Sequence, residues 1–372
     1  MRIDTFKIEE WMNKYCSEAQ YDLTNACISP LTIRELMEIS NIHRPLEIFD
    51  TKLTYGDIFG SDRLKNAIKT LYSNQNSENI TITNGAIGAN QLVYQALLEK
   101  NDEVACITPI YQQHYSIPKA LGANVIKIPL REDNNWQINL RELENKLTYK
   151  TKLIVLNTPN NPTGSIIPNE TLYKIVEIAK LHNIWILSDE VSRGLNLYGN
   201  PFSVSIADIY EKGISVSSLS KAFSLPGLRL GWVIARNDLI NEINKHREYN
   251  TISVSLINDY YASIALENKD KIIARNRKIM LNGQAILKNW LNEEIFVKTN
   301  LPQGGTTALI RYKKDINSEL LCKKLLNSDK VAILPGATMD MEGFLRIGYC
   351  VSPEILNLGL KSLSKCLRTI KD

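Results

Sequence analysis

The chain has 372 residues, 44% of them hydrophobic and 23% charged. Such a composition excludes a disordered polymer. The length passes the ~250–300 residues at which a single core usually stops growing, so more than one domain is expected. Forty-four basic residues against 40 acidic ones leave a net charge of +4. With no basic run and no interleaving of basic and aromatic residues, a nucleic-acid partner is not expected. Lys361, Lys365 and Arg368 read as the solvated face of a terminal helix.

Cys16, Cys27, Cys106, Cys322, Cys350 and Cys366 are scattered, with no C-x-x-C pair, and His43, His114, His182 and His246 add no close ligand pairs. No metal site is expected, and the cysteine usage suits a reducing, cytoplasmic setting. The opening MRIDTFKIEEWMNKY has acids and lacks an apolar stretch, so no secretory signal is expected. No window of ~18 apolar residues predicts a membrane span, so no membrane partner is expected.

In chain order, residues 6–16 predict a helix without a nearby strand, suited to docking on a smaller unit. Short apolar runs then predict strands at Ile80–Thr83, Glu103–Thr108, Val125–Pro129, Lys152–Leu156, Trp185–Ser188, Ile214–Ser217 and Leu230–Ala235. Helical patterns fall between most of them, at Ala86–Leu98, Tyr115–Leu121, Leu140–Leu147 and Pro168–His182. The alternation predicts an α/β domain whose mostly parallel, seven-stranded sheet has helices on both faces. From 238 to about 292 the pattern predicts two long helices. Strands at Thr306–Arg311, Val331–Leu334 and Phe344–Gly348, with helices near 317–327 and 353–369, then predict a smaller α+β domain. The expected division is an N-terminal arm with part of the small domain over 1–40, a large domain over 41–255 and the small domain over 256–372.

In open α/β sheets ligands gather at the carboxyl ends of strands. Four strand ends carry chemistry here. After 80–83 comes Asn84-Gly85-Ala86-Ile87-Gly88, opening a helix. After 152–156 comes NTPNNPTG (157–164), after 185–188 Asp189-Glu190, and after 214–217 Ser218-Leu219-Ser220-Lys221 with Arg229 eight residues on. Singly, each has an ordinary explanation: a turn, a helix cap, a surface lysine. Together they describe one ligand. A helix N-terminus with Ser218, Ser220 and Arg229 suits a phosphate dianion. Lys221 can bond to an aldehyde and Asp189 can keep a ring nitrogen protonated. Phosphate, aldehyde and pyridinium are the parts of pyridoxal 5′-phosphate (PLP).

With those residues in view, the chain resembles the fold-type I PLP-dependent enzymes of the class I/II aminotransferase family. The resemblance rests on TYGDIFGSDRLKNAI (54–68), TNGAIGANQL (83–92), TPIYQQHYSIPKALGA (108–123), NTPNNPTG (157–164), SDEV (188–191), SSLSKAFSLPGLRLGW (217–232), the PG at 335–336 and FLRIGY (344–349). It implies that Lys221 is the catalytic Schiff-base lysine and proton shuttle. It implies Asp189 at the pyridine nitrogen, Asn161 at the ring 3′-oxygen and Tyr111 stacked on the ring. The phosphate falls to the backbone of Ala86 and Ile87 with Ser218, Ser220 and Arg229. Arg346 is implied at the substrate carboxylate, with Asn161 beside it. Tyr55, with Gly60 at the family's spacing, is implied at the phosphate of a neighbouring subunit, hence a homodimer with composite active sites.

Two positions depart from the family. Ser192 stands where a tyrosine usually serves the 3′-oxygen, and Ile87 where some members place a hydroxyl. The stretch 109–118 with Arg193-Gly194 resembles a side branch that includes capreomycidine synthase, which cyclises a hydroxyarginine, near PLP-dependent arginine oxidases. The expected function is transamination of an L-amino acid to its oxo acid; the alternative is a lyase, cyclase or oxidase acting on arginine or hydroxyarginine. A non-catalytic PLP-binding protein is a third reading, set against an intact reactive set. The substrate side chain is expected to meet loops 22–30, 192–200 and 335–342.

Overall fold

The computed structural model describes residues 2–43 and 46–370. All seven predicted strands of the first two-thirds join one sheet, in the order Ile80–Asn84, Leu230–Ile234, Gly213–Ser218, Trp185–Asp189, Thr151–Asn157, Glu103–Thr108, Asn124–Pro129. Leu230–Ile234 runs antiparallel to both neighbours and the other pairings are parallel. The central strands are buried along their whole length because helices cover both faces. Ile154, Ile186 and Ile234 belong to the core on one face, and Val155, Leu187 and Val233 to that on the other. Successive side chains of a strand point to opposite faces, which is the origin of this split.

A second, antiparallel sheet orders Leu334–Pro335, Phe344–Gly348, Thr307–Tyr312 and Val297–Lys298. Helices Ser318–Asp329 and Pro353–Thr369 accompany it. The run expected as one strand over 331–334 is divided. Val331–Ala332 pairs in parallel with Tyr21–Asp22 of the N-terminal segment, while Leu334–Pro335 joins the four-stranded sheet. The N-terminal helix Lys7–Tyr15 precedes that pairing.

The two helices expected over 238–292 are three: Asn237–Glu248, Leu256–Glu267 and Lys269–Glu293. The last break falls at Asn268, which leaves the helical region while its amide donates to the Ile264 carbonyl at 3.0 Å. An asparagine that bonds the backbone in this way competes with the helix's own ladder. Helix Leu256–Glu267 packs on helix Asp62–Lys69, an element not singled out in the sequence. Ser61 caps the latter by accepting from the Leu64 amide at 3.1 Å, and Asp259 receives both the Ser61 amide and hydroxyl.

Candidate active site

A cavity of about 450 Å³ lies at the carboxyl ends of the central strands, under the N-terminal helix. The strand-end groups Ala86 and Ile87, Asn161, Asp189, and Ser218, Ser220, Lys221 and Arg229 reach it, whereas Glu190 does not. Tyr111 and Arg346 line it as well. Tyr55 does not; its ring is 77% exposed on the surface.

One end is a cradle of donors. Gly85, at φ +68°, turns strand Ile80–Asn84 into helix Gly85–Leu97 and leaves the amides of the first turn facing the cavity. Gly231 of the neighbouring strand makes room for that turn. A Cβ there would lie 2.5 Å from the Gly85 carbonyl carbon and 2.7 Å from the Ala86 nitrogen. Arg229 has φ +47° and donates from Nη1 to the Pro226 carbonyl at 2.9 Å. That contact holds the guanidinium beside Gly85, where a Cβ would sit 2.6 Å from Nη2. Backbone amides, hydroxyls and a guanidinium thus converge where an anion would sit, and the close approach of the two backbones there requires glycine at 85 and 231.

At the middle, Asp189 closes its strand 5% exposed and is held by three donors. Its Oδ2 accepts from Asn90 at 3.2 Å and faces His114 Nε2 at 3.0 Å, and Oδ1 accepts the Val191 amide at 3.1 Å. Burial pushes the Tyr94 phenol well above its ordinary pKa, and its hydroxyl lies 2.7 Å from His114 Nδ1, where a protonated phenol is placed to donate to the ring nitrogen. With Nδ1 accepting from that phenol, the ring's proton sits on Nε2, 3.0 Å from Asp189 Oδ2. The neighbouring carboxylate goes elsewhere: Glu190 turns under the sheet to accept from Ser205, Ser215 and the Ile206 amide, and burial raises its pKa.

At the other end a chain of amides fixes Arg346. Asn157 donates to the Asp189 carbonyl at 2.9 Å and accepts the Asn161 amide at 2.7 Å. Asn161 Oδ1 accepts from Arg346 Nη1 at 3.2 Å, and Nη2 donates to the Thr24 carbonyl at 2.6 Å. Arg346 is only 2% exposed, yet its Nε has no hydrogen-bond partner. Burial lowers its pKa to about 10, which leaves it charged at neutral pH. A buried, charged and incompletely satisfied guanidinium suits a carboxylate. Lys221 Nζ lies 3.2 Å from the Cys27 sulfur, and the Tyr111 hydroxyl donates to Glu9 at 3.0 Å. Burial and the Glu9 carboxylate both raise the Tyr111 pKa.

Of the three loops expected around the substrate, only the first contributes here, through residues 24–27. Asn200, Phe202 and Ser203 line a separate cavity of about 460 Å³, and Met339 to Met341 another of about 230 Å³. Val191 rather than Ser192 faces the active-site cavity; Ser192 is buried, and its carbonyl receives the Leu195 amide. Glu9 is absent from the sequence reading, which places Cys27 only within the loop 22–30 and His114 only within the stretch 108–123. Their roles rest on contacts with residues far away in the chain, which no local spacing marks.

The cradle, the aimed carboxylate and the orphaned Arg346 Nε fit PLP with a bound amino acid. The family model for aminotransferase class I and II matches residues 17–363, and the chain belongs to that family. It is a PLP-dependent transferase. A PLP-dependent aminotransferase from Streptococcus suis 89-1591 superposes with a TM-score of 0.95 at 38% identity, each chain covered in full. Capreomycidine synthase of Streptomyces vinaceus is 28% identical over 97% of this chain and 93% of its own. An aspartate aminotransferase of Pyrococcus horikoshii is 31% identical over 78% of this chain and 75% of its own. Among the described residues no helix is long and apolar enough to cross a membrane.

Proposed function

We propose that the protein transaminates an L-amino acid, with Lys221 as the catalytic lysine. The observation that carries this reading is the convergence of Lys221, Asp189 and Arg346 on one cavity. Bound there, PLP supplies an aldehyde for an amine and a ring that takes up the electron pair left when a bond to Cα breaks. The first-turn amides of Ala86 and Ile87, with Ser218, Ser220 and Arg229, hold its phosphate. Asp189, steadied by His114 and Asn90, keeps a proton on the ring nitrogen. Asn161 meets the ring oxygen and Tyr111 covers the ring face. Arg346 orients the substrate through its carboxylate, and Lys221 moves the proton at Cα.

Tyr55 completes the site in trans, so the working unit is a homodimer in the cytoplasm. Exposed Phe49, Leu53, Tyr55 and Ile58 crowd one stretch of chain and support this assembly. In this reading the arm spans 1–40, the large domain 41–255 and the small domain 256–372. Mixing Tyr55→Phe with Lys221→Ala subunits tests the dimer: recovered activity supports a residue acting in trans, and a monomer by light scattering rejects it.

A second reading is favoured by Glu9. Arg229, Asp189, Arg346 and Lys221 each have a role toward cofactor or substrate carboxylate, whereas Glu9, which accepts from the Tyr111 hydroxyl, is a cavity charge with no such role. A carboxylate there suits a cationic side chain, as in arginine or hydroxyarginine, and with it cyclisation, elimination or oxidation. One experiment separates the readings. The holoenzyme is given single amino acids, arginine and hydroxyarginine included, without an oxo-acid acceptor. A transaminase converts its cofactor to the pyridoxamine form and releases one equivalent of oxo acid. Continued turnover without an acceptor rejects transamination in favour of the second reading.

A further inference from the structure

We propose that Cys27 is a positioning residue for Lys221: its sulfur receives the lysine amine whenever that amine is not bonded to the cofactor, and holds it on the Arg346 side of the cavity. The proposal rests on Lys221 being the cofactor lysine.

The sulfur sits on a fixed ledge. The Leu23 carbonyl accepts the Gly348 amide at 2.7 Å, the Thr24 carbonyl accepts Arg346 Nη2 at 2.6 Å, and the Ala26 carbonyl accepts the Thr306 hydroxyl at 2.7 Å. The Cys27 amide closes the turn on Asn25 Oδ1 at 2.8 Å. Gly348 is required for this approach, because a Cβ there would lie 1.9 Å from the Asn25 carbonyl oxygen. Three anchors within four residues, at Leu23, Thr24 and Ala26, therefore fix the segment that carries Cys27 and leave its side chain to face the cavity. A lysine amine swings on four rotatable bonds and has no such support of its own. The amine donates to the sulfur at 3.2 Å, within hydrogen-bond reach for that atom.

A second observation comes from the same ledge. Arg346, bonded to Thr24, keeps its buried Nε unpartnered, and it lines the same cavity as Cys27. Substrate carboxylate and lysine amine are thus registered by one four-residue segment, which fixes the amine relative to the atom it must serve. Cys106, Cys322, Cys350 and Cys366 are buried in cores; of the two half-buried cysteines, Cys16 faces the Thr24 hydroxyl and Cys27 the Lys221 amine.

The test follows reloading of the cofactor. Wild type, Cys27→Ser and Cys27→Ala are stripped of PLP with hydroxylamine, dialysed and mixed with PLP. Tryptophan fluorescence reports arrival of PLP in the cavity. Absorbance reports bond formation, in which the Lys221 nitrogen adds to the aldehyde carbon and water leaves. The expected result is an unchanged arrival phase in all three proteins. Bond formation should slow about tenfold in Cys27→Ala, the size of one lost hydrogen bond, and be restored in Cys27→Ser. Bond formation at the wild-type rate in Cys27→Ala overturns the proposal, as does equal slowing in serine and alanine variants. If Cys27→Ala does not fold, Cys27→Val keeps the volume without the acceptor. Borohydride reduction and peptide mapping guard the premise. Label on another lysine rejects the Lys221 assignment, whereas label on Lys221 with unchanged rates rejects only the role of Cys27.

Discussion

His114 Nε2 stands 3.0 Å from Asp189 Oδ2, with its other ring nitrogen 2.7 Å from the Tyr94 hydroxyl. All three side chains are buried, so the relay has no water to replace a lost partner. His114→Phe keeps the ring's bulk but strips one donor from Asp189 and leaves the Tyr94 hydroxyl without an acceptor. Affinity for PLP should fall about ten- to hundredfold, the size of a hydrogen bond to a charged group. Titration of the cofactor-free protein with PLP measures it. An unchanged midpoint would show that Asn90 and the Val191 amide alone hold Asp189.

The cradle makes a second expectation. A Cβ on Gly231 would press on Gly85, on the Ala86 nitrogen and on the Ser217 carbonyl oxygen at 2.8 Å. All are backbone atoms, two in the first turn of helix Gly85–Leu97 and one in the paired strand Gly213–Ser218, and none can swing aside as a side chain would. Gly231→Ala should cost ~1–3 kcal/mol of stability through overpacking and loosen PLP. Gly227→Ala is the control, because a Cβ there meets nothing within 4 Å and its φ is not positive. Equal melting temperatures for the two variants would show that the turn at Gly85 yields.

Much of this was legible in the sequence, for particular reasons. Runs such as LIVL at 153–156 announce strands covered on both faces, and they sit in the sheet's middle. The strand-end groups converge because parallel strands present all their carboxyl ends on one edge. What stayed hidden depends on long-range approach. Glu9 meets Tyr111 across 102 residues and Cys27 meets Lys221 across 194. The break at Asn268 escaped because an asparagine inside a helical pattern announces its competing hydrogen bond only weakly. Ser192 offers no tyrosine-like donor at the ring oxygen, and the apolar Val191 that lines the cavity supplies none either.

Arg346 offers the clearest test of substrate orientation. Arg346→Lys keeps a charge but loses the planar fork that reaches Thr24 and Asn161 while presenting Nε. KM for an amino acid should rise about tenfold to hundredfold, since a bidentate, charge-assisted contact is replaced by a point charge. A matched amine without the carboxylate should respond equally poorly to both proteins. Amino-acid concentration series in wild type and variant read this directly. An unaltered KM would place the substrate carboxylate elsewhere.

The last expectation concerns the helix that covers the site. Asp340 bonds Lys7 at 2.7 Å on that helix's first turn and Lys127 at 2.8 Å on the edge strand Asn124–Pro129. Burial alone would raise the Asp340 pKa, but the two ammonium groups overcome it and hold the carboxyl below its ordinary value. A depressed pKa means that the contribution is complete above the ordinary carboxylate range of ~3.9 and is lost as pH falls through the lowered value. These pairs are partly exposed, so their share of global stability is small, about 0.2–1 kcal/mol each before salt screening. The effect should therefore be local. At pH 7, Asp340→Asn should exchange the amides of residues 7–15 several-fold faster than wild type, while the central strands keep their protection. As pH drops below ~3.9, the wild-type excess protection over the variant, compared at each pH, should vanish. High salt should narrow the difference at pH 7 as well. Hydrogen exchange resolved by peptide gives the answer, and equal protection of residues 7–15 in the two proteins at pH 7 would mean that the Phe6–Tyr111 ring contact and the Gln112 hydrogen bonds to Thr5 and Lys7 hold the helix unaided.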